Sequence, residues 1–196
     1  MADKSLTFSP SASRPNVSVG TLRWGANLIY LVCVYVPPNK HGRRTSLDAL
    51  EVTLDALKGQ YVIVGGDFNI TESSLPVDVG GSGGKGCNPG QGSLLELLNR
   101  HCLSDPFLGT PASAHVRNND HLTHWNYDRS RGRRLDRFYV NFDLPPSLTW
   151  EVATIFHPRT DHKGVLLTLR PVAPKGKLTA KRNSVPKAAF TDPLII

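Results

Sequence analysis

Residues 28–36, LIYLVCVYV, are apolar almost without a break and rich in β-branched and aromatic side chains, and they run into Pro37-Pro38. Such a run suits a buried strand, and paired prolines end it because they remove ladder donors. A second run, Tyr61 to Val64 (YVIV), has the same character and breaks at Gly65-Gly66. Between the two, Leu47, Leu50, Leu54 and Leu57 fall at helical spacing. A helix is therefore predicted from about Ser46 to Lys58, with Thr45 or Ser46 as cap and Gly59 as terminator. A second amphipathic helix, about Ser93 to Cys102, carries Leu94, Leu95, Leu97 and Leu98. Further strands are predicted at Leu135 to Asn141, Thr149 to Phe156 and Gly164 to Arg170. The order strand, helix, strand, helix and three strands is mixed α/β, with a sheet covered by helices on one face.

The 196 residues suffice for one ordinary domain with a substantial core. Residues 1–20 are Ser- and Pro-rich without an apolar signal core, so they read as a disordered lead-in to an intracellular protein. No apolar run is long enough to span a membrane. Residues 172–196 are Pro/Lys-rich and read as a basic linker or tail. Cys33, Cys87 and Cys102 are odd in number and widely spaced, which argues against a disulfide framework and against structural zinc. Cys33, inside the first apolar run, reads as a small buried hydrophobe. The net charge of +7 favours polyanionic partners, since Lys and Arg that neutralise phosphates release counterions.

Three segments carry candidate chemistry. In VIVGGDFN, Val62 to Asn69, a strand ends on two glycines and then presents Asp67 and Asn69. Two apart in extended chain, these side chains face the same way. An acid that orients water or metal beside an amide that stabilises phosphoryl oxygens suits phosphate chemistry, and the same residues also suit a plain turn. In Thr160-Asp161-His162-Lys163, adjacent Asp and His at a strand start offer a metal ligand and an acid/base, or only surface polarity. Asp136, among Arg134 and Arg137, either orients His162 or makes a local salt bridge. His121, His124 and Trp125 precede the basic stretch Arg129 to Arg134, where aromatics beside arginines suit a nucleic-acid strand. The glycine-rich loop around Gly84-Lys85 lacks the spacing of a phosphate-binding P-loop and supports no organic cofactor.

Taken together, VCVYVPPN (32–39), VGGDFN (64–69), LLELLNRHCLSDPF (94–107), THWNYDRSRGRRLDRFYVN (123–141) and TDHKGVLLTL (160–169) resemble the endonuclease/exonuclease/phosphatase superfamily. The resemblance is nearest to the apurinic-like endonuclease domain of non-LTR (LINE-type) retrotransposons. It implies a four-layer α/β/β/α sandwich of mixed, mainly antiparallel sheets, of which residues 21–171 would form a partial, C-terminal portion. It implies a phosphodiester hydrolase acting on DNA with Mg²⁺ or Mn²⁺, a nuclear location, and an ancestor fused to a reverse transcriptase. By the same resemblance Asp67 positions or deprotonates water, Asn69 binds phosphate or metal, and Asp161 is a metal ligand. His162 contacts the phosphate with support from Asp136, and Tyr35 stabilises phosphate or leaving group. Arg129, Arg131, Arg133, Arg134 and Trp125 are the expected nucleic-acid contacts. The family's early Asn and Glu, the latter a principal metal ligand, find no counterpart before the first strand, so poor metal affinity and a truncated, weak or inactive enzyme are expected. A non-catalytic nucleic-acid-binding remnant, or a phosphatase or lipid phosphodiesterase branch of the superfamily, are the alternatives.

Overall fold

The computed structural model describes residues 12–24, 27–73, 75, 78–81, 89–108, 119, 121–142, 148–155 and 160–171. In chain order the elements are β1 (Ala12–Arg14), β2 (Val17–Trp24), β3 (Asn27–Tyr35), α1 (Lys40–Ala56), β4 (Tyr61–Asp67) and β5 (Val79–Gly81). They continue with α2 (Gln91–Arg100), β6 (His124–Trp125), β7 (Arg131–Arg133), β8 (Asp136–Val140), β9 (Leu148–Ile155) and β10 (Gly164–Pro171). The main sheet has the order β1-β2-β3-β4-β8; β9 and β10 form a hairpin, and β5-β7-β6 a small third sheet.

Strands β3 and β4 run parallel, a pairing that requires a crossover, and α1 supplies it. Side chains alternate across the main sheet. On one face Val32, Val34, Val36, Val62 and Val64 pack with Leu47, Leu50 and Leu54 of α1 and Leu94, Leu97 and Leu98 of α2. On the other, Ile29, Ile63 and Val140 meet Leu31, Phe138 and, from the β9–β10 hairpin, Trp150 and Leu167. Both faces of β3 and β4 therefore carry apolar packing, complete on the helix side and partial on the other, which is why their sequences read as unbroken apolar runs. The result is a mixed α/β fold of mainly antiparallel sheets.

The structure departs from expectation in several places. Residues 12–20 are not a disordered lead-in: they form β1 and the start of β2. Ser and Pro content masks a period of two, in which Val17 and Val19 bury under the helices while Ser18 stays exposed. Helix α1 starts earlier than Ser46, at Lys40, because Asn39 caps it by accepting the Gly42 N–H (2.8 Å). Its first turns hold polar residues that are buried all the same: Arg43 donates to the Pro38 carbonyl (2.6 Å), and Ser46 accepts from the Asn16 amide (2.9 Å). Helix α2 begins at Gln91 rather than Ser93. Cys33 is exposed, since it alternates with the buried Val32 and Val34. Residues 1–11, the tail from 172 and Cys87 lie outside the described residues. Among the described residues no helix is long and apolar enough to cross a membrane.

A buried ionic cluster fixes the start of β8. Arg137 is 2% exposed and donates to Glu72 (2.8 Å), Asp78 (3.1 Å), the Tyr139 hydroxyl (3.1 Å) and the Arg134 carbonyl. Arg134, 4% exposed, donates to Asp78 (3.1 Å) and Asp105 (2.5 Å). Removing one partner of such a set strands a desolvated charge. Arg137→Met should lower unfolding stability by about 3–5 kcal/mol in urea titrations. A loss under about 1 kcal/mol would show that the cluster does not hold the fold.

Candidate functional site

The site starts from one row of the main sheet. Strand register sets Tyr35 beside Asp67 and Asp67 opposite Asp136, so three polar side chains stand next to one another where β3, β4 and β8 meet. The two glycines before Asp67 serve the packing of neighbours rather than the approach of a ligand. At Gly66, φ is 155° and a Cβ would overlap the Val34 carbonyl oxygen; at Gly65 a Cβ would run into the Phe138 ring.

Past the strand end, Asn69 turns back with φ at 48°, a left-handed conformation that Asn tolerates. Its backbone N–H donates to one Asp67 carboxylate oxygen (2.9 Å) and its side-chain amide to the other (2.9 Å). The same amide donates to the Val36 carbonyl (3.0 Å), tying the turn to the end of β3. Thr123 holds the entry to β8, its hydroxyl accepting the backbone N–H of Leu135 (2.9 Å) and Asp136 (3.0 Å). Its carbonyl accepts the Lys163 N–H (2.6 Å), which brings the start of β10 alongside. His162 consequently meets Asp136 through Nδ1, 2.8 Å from Oδ2. His124 bridges to His162 in antiparallel fashion and lies 3.4 Å from Asp161.

These contacts shift the titrating groups. Burial raises the Asp67 pKa from its ordinary 3.8, with the Asp136 charge adding to it and the Asn69 N–H and His162 opposing. The bond to Asp136 raises His162 above its ordinary 6.5, against the effect of burial. Burial lowers His124 below 6.5, helped by the neighbouring His162. A carboxyl that holds its proton more tightly, next to an imidazolium kept charged, is a pair able to take one proton and donate another.

Of the residues singled out from the sequence, Asp67, Asn69, Asp136, Asp161, His162 and Tyr35 fall at this end of the sheet. Tyr35 is 48% exposed and shares the Asp67 row. Arg131 and Arg133 line a cleft of about 1070 Å³ that also takes in Asn69 and His124. Arg129 is exposed in the turn between β6 and β7, where Asp128 and Asn126 brace the backbone. Arg134 is not a surface contact, because its guanidinium is spent in the buried cluster. Trp125 is half-buried, and its ring lies across Gly132, leaving no room for a Cβ there. Sequence reasoning passed over Lys40 and Arg44, which line the same cleft from α1, because that helix was expected to begin beyond them. It named His124 only as an aromatic beside arginines; its nearness to Asp161 depends on a two-residue strand that no periodicity reveals.

A family model for the endonuclease/exonuclease/phosphatase family matches residues 4–162. Among solved structures, the chain is similar to the endonuclease domain of TRAS1, a telomere-specific non-LTR retrotransposon. The two share 20% identity over 85% of this chain and 67% of that one, with a TM-score of 0.58. It is similar also to the 3′-5′ exonuclease NExo from Neisseria meningitidis, at 17% identity over 83% of this chain and 69% of that one, TM-score 0.58. A humanized D. rerio TDP2 shares 16% identity over 79% of this chain and 60% of that one, TM-score 0.52. At these identities the likeness concerns the fold alone. No curated protein matches the sequence.

The Asp136–His162 pair has a consequence in solution. A folded-state value above the unfolded 6.5 means that the pair adds stability in full below pH 6.5 and loses it as pH climbs through the folded value. NMR titration of the His162 ring should show a midpoint above 6.5 that drops when Asp136→Asn removes the charge. A midpoint indifferent to that substitution would mean the pair does not form.

Proposed function

This chain belongs to the endonuclease/exonuclease/phosphatase family, and from that membership we propose that it is a divalent-metal-dependent phosphodiester hydrolase acting on DNA. The observation that carries the reading is the cluster Asp67–Asp136–His162, whose ligand atoms lie within 4.8 Å of one another at the sheet end. Beside it runs a cleft whose walls include Lys40, Arg44, Arg131 and Arg133. With Arg43, five cations against the single acid Asp48 along one cleft favour a polyanionic strand over a small phosphate ester. Retrotransposon ancestry belongs to the same proposal and is supported by the fold shared with the TRAS1 endonuclease domain.

Asp67 accepts the proton of the attacking water, its basicity increased by burial and by Asp136. Asn69 acts as a positioning residue, since its amide and N–H hold both Asp67 oxygens. His162, kept charged by Asp136, donates an N–H to a phosphoryl oxygen as negative charge builds there. Tyr35, on the same row, offers a hydroxyl to the phosphate or the leaving oxygen. Oxygen donors from Asp161, Asp67 and Asn69 suit Mg²⁺ or Mn²⁺; Asp161 is exposed, and Asn69 uses only part of the lone-pair capacity of Asp67. When bound, such an ion supplies charge neutralisation at the phosphate.

Nicking of supercoiled plasmid in Mg²⁺ should be weak in the wild type and fall by about a further 10²–10⁴-fold, the magnitude of a lost general base, in Asp67→Asn. Its rate in the wild type should rise with pH through the Asp67 value, above 3.8, and decline through the His162 value, above 6.5. Nicking that survives the substitution defeats the mechanism; tight DNA binding without nicking in either metal identifies a binding remnant instead. Arg44→Ala and Arg131→Ala should each reduce the slope of log affinity against log salt by about 1. Slopes equal to that of the wild type would place the DNA path elsewhere.

A further inference from the structure

We propose that His124, Asp161 and His162 form a three-donor site for a borderline transition-metal ion, zinc above all, separate in its donor chemistry from an oxygen-ligated Mg²⁺. One ligand atom from each of the three lies within 4.8 Å of the other two. Three donors of a tetrahedral zinc ion, each about 2.0–2.1 Å from the metal, sit roughly 3.3 Å apart. His124 Nε2 and Asp161 Oδ2 already stand 3.4 Å apart. The two imidazole rings have centroids 4.8 Å apart and are tilted by 55°. Small side-chain rotations would bring His162 to the same distance, and the exposed Asp161 side chain is free to follow.

Two further features favour this assignment. With His162 Nδ1 bound to Asp136, its Nε2 is the nitrogen presented outward. That is the carboxylate–histidine–metal arrangement in which a second-shell acid fixes the tautomer and raises ligand basicity. The scaffold is also rigid on both sides: the His124–His162 bridge and the Lys163 N–H bond to the Thr123 carbonyl hold the two histidines at a set separation. Two imidazoles and one carboxylate match the preference of Zn²⁺ and its neighbours, whereas Mg²⁺ prefers oxygen. A fourth position remains for water.

The site deepens the proposed function in one respect and rests on it only there. An ion that takes His162 Nε2 removes the N–H destined for the phosphate, so zinc would inhibit hydrolysis at the shared Asp161 and His162.

Cobalt(II) alone, added to the metal-free 196-residue chain, serves as the probe through its visible four-coordinate absorption. His124→Phe should weaken cobalt binding by more than roughly 100-fold, and Asp136→Asn by about 10–100-fold as an outer-shell partner. Asp67→Asn should weaken it far less than His124→Phe does, since Asp67 acts on the two imidazoles only through its charge. Cobalt-loaded wild type should also show two strongly shifted exchangeable imidazole signals by NMR, a readout that needs no variant. Equal affinity in His124→Phe, loss of the ion in Asp67→Asn instead, or fewer than two shifted signals would overturn the site. None of these readouts involves nicking, so failure of the catalytic reading leaves them intact. Zinc should inhibit nicking by the wild type and spare residual nicking by His124→Phe; equal inhibition of both would overturn the link to turnover.

Discussion

Asp136 sits in the chain between two arginines that are almost wholly desolvated, and much else in the molecule follows from that. Arg134 and Arg137 reach Glu72, Asp78 and Asp105, which come from the segments after β4, before β5 and after α2. Their fan of donors therefore ties the β4–β5 connection, at two points, and the segment after α2 to the start of β8. Charge alone would not require burial, and a well-packed apolar set could match its stability. What the ions add is direction, because a guanidinium presents its donors in a fixed plane and accepts few other geometries. Strand β8 is thereby held in register with β4, and Asp136 lands opposite Asp67.

That register has an electrostatic cost. Two carboxylates directly opposed on antiparallel strands repel. The structure answers on both sides: Asn69 gives Asp67 two N–H donors, and His162 gives Asp136 a proton-bearing partner. Burial is the main cause of the raised Asp67 pKa, and the repulsion that remains from Asp136 adds to it. Groups held away from their ordinary ionisation by such arrangements are the ones able to exchange protons near neutral pH. A fold that needed only stability would have little reason to set two acids face to face.

The main-sheet strands β3 and β4 were legible in the sequence because both of their faces carry apolar packing, which leaves an apolar run that no other element explains. Strands β1 and β2 were not, since Pro15 and the serines around Val17 look like linker until the alternation is counted. The start of α1 was hidden for a related reason: Arg43 and Ser46 are polar yet buried through specific hydrogen bonds, which hydrophobic spacing does not register. Asp67, Asn69, Asp136, Asp161 and His162 could be named because each lies at the end of a recognisable strand. Which arginine faces a cleft and which is entombed was not readable. Arg133 and Arg134 are adjacent, yet Arg133 closes β7 at the cleft while Arg134, just past the strand end, is buried against Asp78 and Asp105.

The small β5-β7-β6 sheet is the element that joins the cleft to the acid–imidazole cluster. Its middle strand turns Arg131 and Arg133 toward the cleft, while its outer strand carries His124 to His162. Trp125 lies across Gly132 and locks those two strands together. Any shift of the cleft wall must therefore move His124, and with it the partner of Asp161 and His162. Strands of two or three residues have little stability of their own. They persist here because Thr123 connects them at once to β8 and to the start of β10. The cleft and the acid–imidazole cluster are thus one mechanical unit, in which the arginines of the cleft wall and the carboxylates at the sheet end keep a set separation.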